Sequence, residues 1–169
     1  MSPPPHPVDW WAGIAAASIT ELAQVSLGLA GVEPSPHTVE LPRQRDGSII
    51  SLVGDQESLE IGLFSDTEGC RSLASRMLGM EPEGEEMVVD AMCELANVLA
   101  GLTKRKLAAA DAKFEIGLPL YVRGSIAVGD AAEAVSIPVR LGNAGVEVVV
   151  LRNLNPAPSG GSHAAASAR

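Results

Sequence analysis

Apolar and polar positions alternate along the chain in two distinct rhythms. From Trp10 to Leu29, Ile14, Ile19, Leu22, Val25, Ser26 and Leu29 recur at helical spacing. They predict a helix with one buried face, capped by Asp9 and ended by the Gly and Pro of "GVEPSPH". Three strands are expected next: "HTVEL", the faintest, then "GSIISLVGD" and "SLEIGLFSD". "DQES" between the last two reads as a hairpin turn, and "RQRDG" as an earlier turn through Asp-Gly. "TEGCRSLASRMLGM" returns to helical spacing, with Asp66 as cap and Leu73, Met77 and Leu78 inward. After the charged break "EPEGEE" comes a second helix, from Val88 to Leu107. "FEIGLPLYVRG", "AAEAVSIPVRLG" and "GVEVVVLRNL" then read as strands, with a hairpin turn over Asn143 to Gly145. The order is helix, three strands, two helices, three strands. It predicts an α+β fold, a mostly antiparallel β-sheet with long helices packed on it.

Residues 9–154 are expected to form a single domain, between a Pro-rich tail over 1–8 and a low-complexity tail over 155–169, both predicted disordered. The length of 169 residues suits that reading, and 46% hydrophobic with 20% charged residues supports a folded core. With 3% aromatics the core must be aliphatic. A net charge of −9 argues against nucleic acid or an anionic membrane as partner and permits a partner with a basic face. Cys70 and Cys93 lie in different predicted helices without a CxxC pair, which reads as free thiols in a reducing compartment. His6, His37 and His163 are scattered, so no metal-ligand spacing is visible. The N-terminus carries no Lys or Arg ahead of its apolar run, and Thr20, Glu21 and Gln24 interrupt that run. No membrane span or export signal is expected, and the protein is placed in the cytoplasm. No GxGxxG or Walker pattern occurs.

The helix "VVDAMCELANVLAGLTKRKL" holds the candidate chemistry. Successive residues turn by roughly 100°, so with Asp90 at zero, Gly101 falls near about 20°, Glu94 near about 40° and Asn97 near about −20°. Val88, Ala91, Met92, Leu95, Leu99 and Leu102 occupy the opposite side, at roughly 100° to 200°. The core claims that side and leaves Asp90, Glu94, Asn97 and Gly101 outward. Helix energetics do not favour such a stripe: Asn and Asp are mediocre interior residues, and Gly costs about 1 kcal/mol relative to Ala. Glu94 and Asn97 project from adjacent turns and can enter one pocket of a partner, while Gly101 lets another backbone approach closely. Taken alone, an exposed Glu and Asn are more often merely solvated. Cys93 flanks the stripe but has no evident basic neighbour and reads as a structural thiol. Lys104 and Arg105 are assigned to the helix dipole and solvation. Of Trp10 and Trp11, one is expected in the core and the other over an edge or interface.

"DAMCELANVLAG" resembles the signature helix of the CheX/CheC family of chemotaxis phosphatases: an Asp or Ser, three residues, Glu, two residues, Asn. Here these are Asp90, Glu94 and Asn97. "DGSIISLVGDQESLEIGLFSD", "RSLASRMLGME", "AGLTKRKL" and "IGLPLYVRG" with Pro119 resemble the flanking segments, so the likeness runs from about Gly47 to Leu151. A single such helix makes the chain closer to CheX than to the two-halved CheC members.

The resemblance implies a phosphatase that dephosphorylates the aspartyl phosphate of a CheY-type response regulator in chemotaxis or two-component signalling. In that reading Glu94 docks on a basic residue beside the phosphoryl group and Asn97 orients the attacking water, much as a Gln does in GTPases. Asp90 and Gly101 extend the contact. The chain needs no cofactor of its own, and Mg²⁺ is expected on the regulator. A homodimer is also implied, although the sequence pattern itself does not show one. One alternative is a non-catalytic binding module that holds a response regulator or flagellar-switch component through the same helix. Another is an unrelated α+β domain assembling through its sheet, with the stripe merely solvated.

Overall fold

The computed structural model describes residues 6–41, 45–55, 57–110, 112–129 and 132–154. Most of the residues assigned above to the two tails lie outside this range. Helix α1 (Val8–Leu27) ends at Gly28, which takes the left-handed conformation (φ 62°) that an L side chain resists, and whose N–H bonds the Ala23 carbonyl. It starts two residues earlier than Asp9 capping predicts. Pro7 is the N-cap, no side chain caps the helix, and Asp9 instead pairs with His37 at 3.0 Å. The buried face runs through Trp11, Ala15, Ile19, Leu22, Ala23 and Leu27. Val25, read as inward, is exposed. Small Ala residues close the contact where the sequence pattern weighted the large aliphatics. Trp11 is core, and Trp10 is half-buried and stacked on His6 at 3.8 Å.

Strands β1 (Arg45–Val53) and β2 (Glu57–Ser65) form a hairpin in register from Asp46↔Ser65 to Val53↔Ser58, closed by Gly54 N–H on the Glu57 carbonyl. Asp46-Gly47 is therefore inside β1 and not a turn. A Cβ on Gly47 would lie 2.0 Å from the Leu63 carbonyl oxygen, and one on Gly62 would lie 2.7 Å from Cε2 of Phe64. The Phe64 ring covers both glycines on the sheet face away from the helices. "HTVEL" makes only one bridge, Thr38↔Ser136, since Pro34 and Pro36 lack the donors a longer strand would need.

Helix α2 (Thr67–Leu78) starts at Asp66, whose carboxylate accepts from the Gly69 N–H at 2.7 Å as the sequence predicts. Leu73 is buried, but Leu78, predicted inward, is exposed at the helix end. Helix α3 (Glu85–Ala108) follows. "FEIGLPLYVRG" then splits into β3 (Glu115–Ile116) and β4 (Leu120–Gly124), each antiparallel to β1, because Pro119 interrupts the ladder. Strands β5 (Ala132–Leu141) and β6 (Ala144–Leu154) form the last hairpin. Its turn is Gly142-Asn143, one residue earlier than predicted, with Gly142 at φ 64°.

Among the described residues the element order is thus helix, two strands, two helices, four strands. The sheet is antiparallel, ordered β3-β1-β2-β6-β5, with β4 also on β1. All three helices pack on one face over an aliphatic core. The other face carries a smaller cluster of Phe64, Val149 and Leu151 under Leu41, Ile126 and Val128. At one end, buried Arg152 joins three strands through Glu57 (2.7 Å) and Glu133 (2.6 Å). The β5 edge is covered by residues 35–38, whose amides bond Pro138 and Ser136. Among the described residues nothing covers Leu118 and Leu120 at the β3–β4 edge, 85% and 63% exposed. Among the described residues no helix is long and apolar enough to cross a membrane.

Candidate functional site on helix α3

Helix α3 begins without a side-chain cap at Gly84. Its first turn carries Glu85 and Glu86 and its last Arg105 and Lys106, charges that complement the helix dipole at each end. Val88, Ala91, Met92, Leu95, Leu99 and Leu102 are all buried, as the angular reading requires, together with Ala96, Ala100, Thr103 and Leu107. That burial fixes the rotation of the helix and thereby the direction of everything else on it.

The opposite face presents the four predicted residues side by side. Asp90, Glu94 and Gly101 are exposed and Asn97 is half-buried. Asn97 Nδ2 donates to Glu94 Oε2 at 3.3 Å. The structure thus brings these two side chains together, one turn apart. A Cβ on Gly101 would meet nothing within 4 Å. The fold has no packing use for a glycine there, so its helix penalty of about 1 kcal/mol is not explained by this chain alone.

Cys93 flanks the stripe, half-buried, and accepts from Ser48 Oγ at 3.6 Å. Cys70 is buried and donates to the Asp46 carbonyl at 3.3 Å. Burial pushes its thiol up to about 11, with a Tyr121 hydrogen bond opposing the shift. Burial, followed by the charges of Cys70 and Asp46, also pushes the Tyr121 phenol well above its ordinary value. Cys70 is therefore a protonated structural thiol at neutral pH.

The ends of α3 carry contacts that sequence reasoning missed. Arg105 and Lys106 both bind Glu21 of α1, whose carboxyl is held below its ordinary value first by Lys106 and then by Arg105. Lys104 pairs with Glu115 of β3 at 3.5 Å. These lysines and the arginine brace the helix against its neighbours, a role beyond dipole and solvation. At the other end Glu85 pairs with Arg123 beside a cleft of about 480 Å³ that includes Asp46, Thr67, Arg71 and Tyr121. The charged groups there already answer one another: Thr67 donates to Asp46 at 3.0 Å, and Arg71 binds Glu81 at 2.6 Å. No local sequence signal marks these long-range pairs. Among the described residues no three His, Cys, Asp or Glu side chains gather as metal ligands would.

The site can therefore present an amide and a carboxylate to a partner on a rigid, outward helix face. A family model described as "Chemotaxis phosphatase CheX" matches residues 47–140. The chain is similar to the crystal structure of chemotaxis protein CheX from Vibrio vulnificus, with 21% identity, a TM-score of 0.74, and 85% of this chain and 99% of that chain covered. It is also similar to the CheX-CheY-BeF3-Mg²⁺ complex from Borrelia burgdorferi, with 20% identity, a TM-score of 0.73 and coverage of 85% and 97%. The FliM middle domain from H. pylori matches at 9% identity, with a TM-score of 0.61 and coverage of 85% and 90%. At these identities the likeness establishes the fold. No curated protein matches the chain.

Proposed function

The chain belongs to the CheX family of chemotaxis phosphatases, and from that premise we propose that it hydrolyses the aspartyl phosphate of a CheY-type response regulator. The observation that carries this reading is the pairing of Glu94 and Asn97 on the outward face of α3.

An acyl phosphate needs little covalent help. It needs a water held in line with phosphorus and compensation of charge. In the proposed step the Asn97 carbonyl oxygen accepts a hydrogen bond from that water, and its Nδ2 donates to a phosphoryl oxygen. The water oxygen bonds to phosphorus as the bond from phosphorus to the regulator's aspartate oxygen breaks, leaving a carboxylate and inorganic phosphate. Glu94 docks on a cation beside the phosphoryl group through a charge-assisted hydrogen bond, of a kind that contributes about 1.5–3 kcal/mol. Asp90 extends the contact, and bare Gly101 admits the partner's backbone. The metal belongs to the regulator. The Borrelia burgdorferi complex holds CheY, Mg²⁺ and BeF3, which stands in for the phosphoryl group, and this supports the same partner here. The cytoplasm is the proposed compartment. A homodimer is the proposed assembly, to be checked by the sedimentation mass of the purified chain.

The test is the decay of a phosphorylated CheY-type regulator from the same organism, with and without this protein and with Asn97→Ala. Faster decay that vanishes in the variant supports the phosphatase. Unchanged decay across all such regulators removes it. What would then remain is the second reading, a binding module for a regulator or flagellar-switch component, which the likeness to the FliM middle domain favours.

A further inference from the structure

The outward stripe of α3 does not end at Gly101. Continuing the turn of roughly 100° per residue, Lys104 falls near about −40° and Ala108 back at about 0°. These two residues also form one wall of a cleft of about 270 Å³, closed by Ala112, Lys113, Phe114 and Glu115. Its floor is apolar: Phe114 is buried and packs edge-to-face on Trp11, with ring centroids 5.8 Å apart. Ala112 is half-buried and held in place by its N–H, which bonds the Leu107 carbonyl at 3.1 Å. Between the cleft and Asn97 stands exposed Gly101, where a Cβ would meet nothing within 4 Å, so the way along the helix is bare.

The rim is basic on an acidic chain. The net charge is −9, yet all three lysines, Lys104, Lys106 and Lys113, lie with Arg105 within positions 104–113. Glu115 answers Lys104, and Glu21 answers Arg105 and Lys106. Lys113 is exposed and has no ion pair among the described residues, outside which Asp111 lies. The other end of the stripe is acidic, with Glu86, Asp90 and Glu94. Helix α3 thus shows a partner opposite charges at its two ends.

We propose that this cleft is a second anchor for the regulator: it seats an apolar side chain of the partner beside a carboxylate that pairs with Lys113. This rests on the reading of α3 as the regulator-docking face. The distances allow it. Ala108 lies about 16 Å along the helix from Asn97, and a standard interface of about 800 Å² per partner is roughly 30 Å across. An interface centred on Glu94 and Asn97 therefore reaches the cleft, and Gly101 leaves the path to it open. The anchor also fixes orientation. A partner turned end for end sets its carboxylate over Asp90 and its cation over Lys113, and both contacts are repulsive. Discrimination among similar regulators then takes place at the cleft, away from the phosphoryl group.

The test is regulator affinity, read by titration calorimetry with the beryllofluoride-loaded regulator. Lys113→Glu is expected to weaken binding about fivefold. Ala108→Phe, which fills the cleft from the exposed end of the helix, is expected to weaken it about tenfold. In both variants dephosphorylation at saturating regulator is expected to keep its wild-type rate while KM rises. Arg140→Glu makes the same change of net charge at an exposed position on β5 and is expected to bind as wild type. Reversal of one exposed regulator carboxylate to lysine is expected to restore affinity for Lys113→Glu. Wild-type affinity in Lys113→Glu or in Ala108→Phe overturns the anchor. Equal weakening by Arg140→Glu overturns it as a local contact. A sedimentation mass that falls in Ala108→Phe shows a second copy of this chain in the cleft and overturns the regulator as its occupant. The decay assay on wild type and Asn97→Ala leaves the cleft intact, so a failed anchor is distinguishable from a failed phosphatase.

Discussion

The two faces of α3 obey different rules. The inward face is aliphatic and buried, and its residues are what the fold requires: each fills space against α1, α2 or the sheet. The outward face holds an aspartate, a glutamate, an asparagine and a glycine that the fold does not require, and at Gly101 it would be better served by alanine. One helix thus separates stability from chemistry by rotation alone. Substitutions can ask whether the separation is real.

The largest effect is expected inside. Leu95→Ala, at a position of zero exposure, should cost about 2–5 kcal/mol in denaturant unfolding, because the cavity cannot collapse in a packed core. Next comes Asn97→Ala, which should lower regulator dephosphorylation about 100-fold, the scale for removing one preorganised polar group, and move stability by less than about 0.5 kcal/mol. A melting point that falls as far as that of Leu95→Ala would erase the distinction between the faces. Glu94→Ala should weaken regulator affinity about 10- to 100-fold, measured by titration calorimetry, with the fold intact. The smallest effect carries the opposite sign. Gly101→Ala should stabilise the helix by about 0.5–1 kcal/mol, since the added methyl meets nothing. Gly101→Leu should keep most of that gain and weaken the regulator complex. Tight binding by Gly101→Leu would show that no partner backbone comes near.

Helix α3 was legible in the sequence because burial there is one-sided and periodic: six aliphatic positions set its rotation, and the stripe follows by subtraction. Asp66 capping and the β1–β2 hairpin were legible for a similar reason, as local chemistry decides them. The misreadings fall where a distant partner decides. Val25 carries the helical period but points past the edge of the core, and Asp9 finds His37 instead of the helix N-terminus. Asp46-Gly47 has the composition of a turn, yet Phe64 from the next strand needs that glycine flat beneath its ring. Glu21 was visible only as an interruption of an apolar run, whereas its partners Arg105 and Lys106 lie some 85 positions away. The bond between Asn97 and Glu94 was not read either, though the spacing allowed it.

The middle of the sheet has a consequence for how the chain is made. Strand β2 is paired on one side by β1, directly before it, and on the other by β6, with Glu57 opposite Leu154. A ribosome adding about 5–20 residues each second leaves β2 half-paired for roughly 5–15 s while α2, α3 and β3 to β5 are synthesised. During that interval its open edge is a template for any stray strand. A nascent chain halted before Ala144 is therefore the form that a cell must shield.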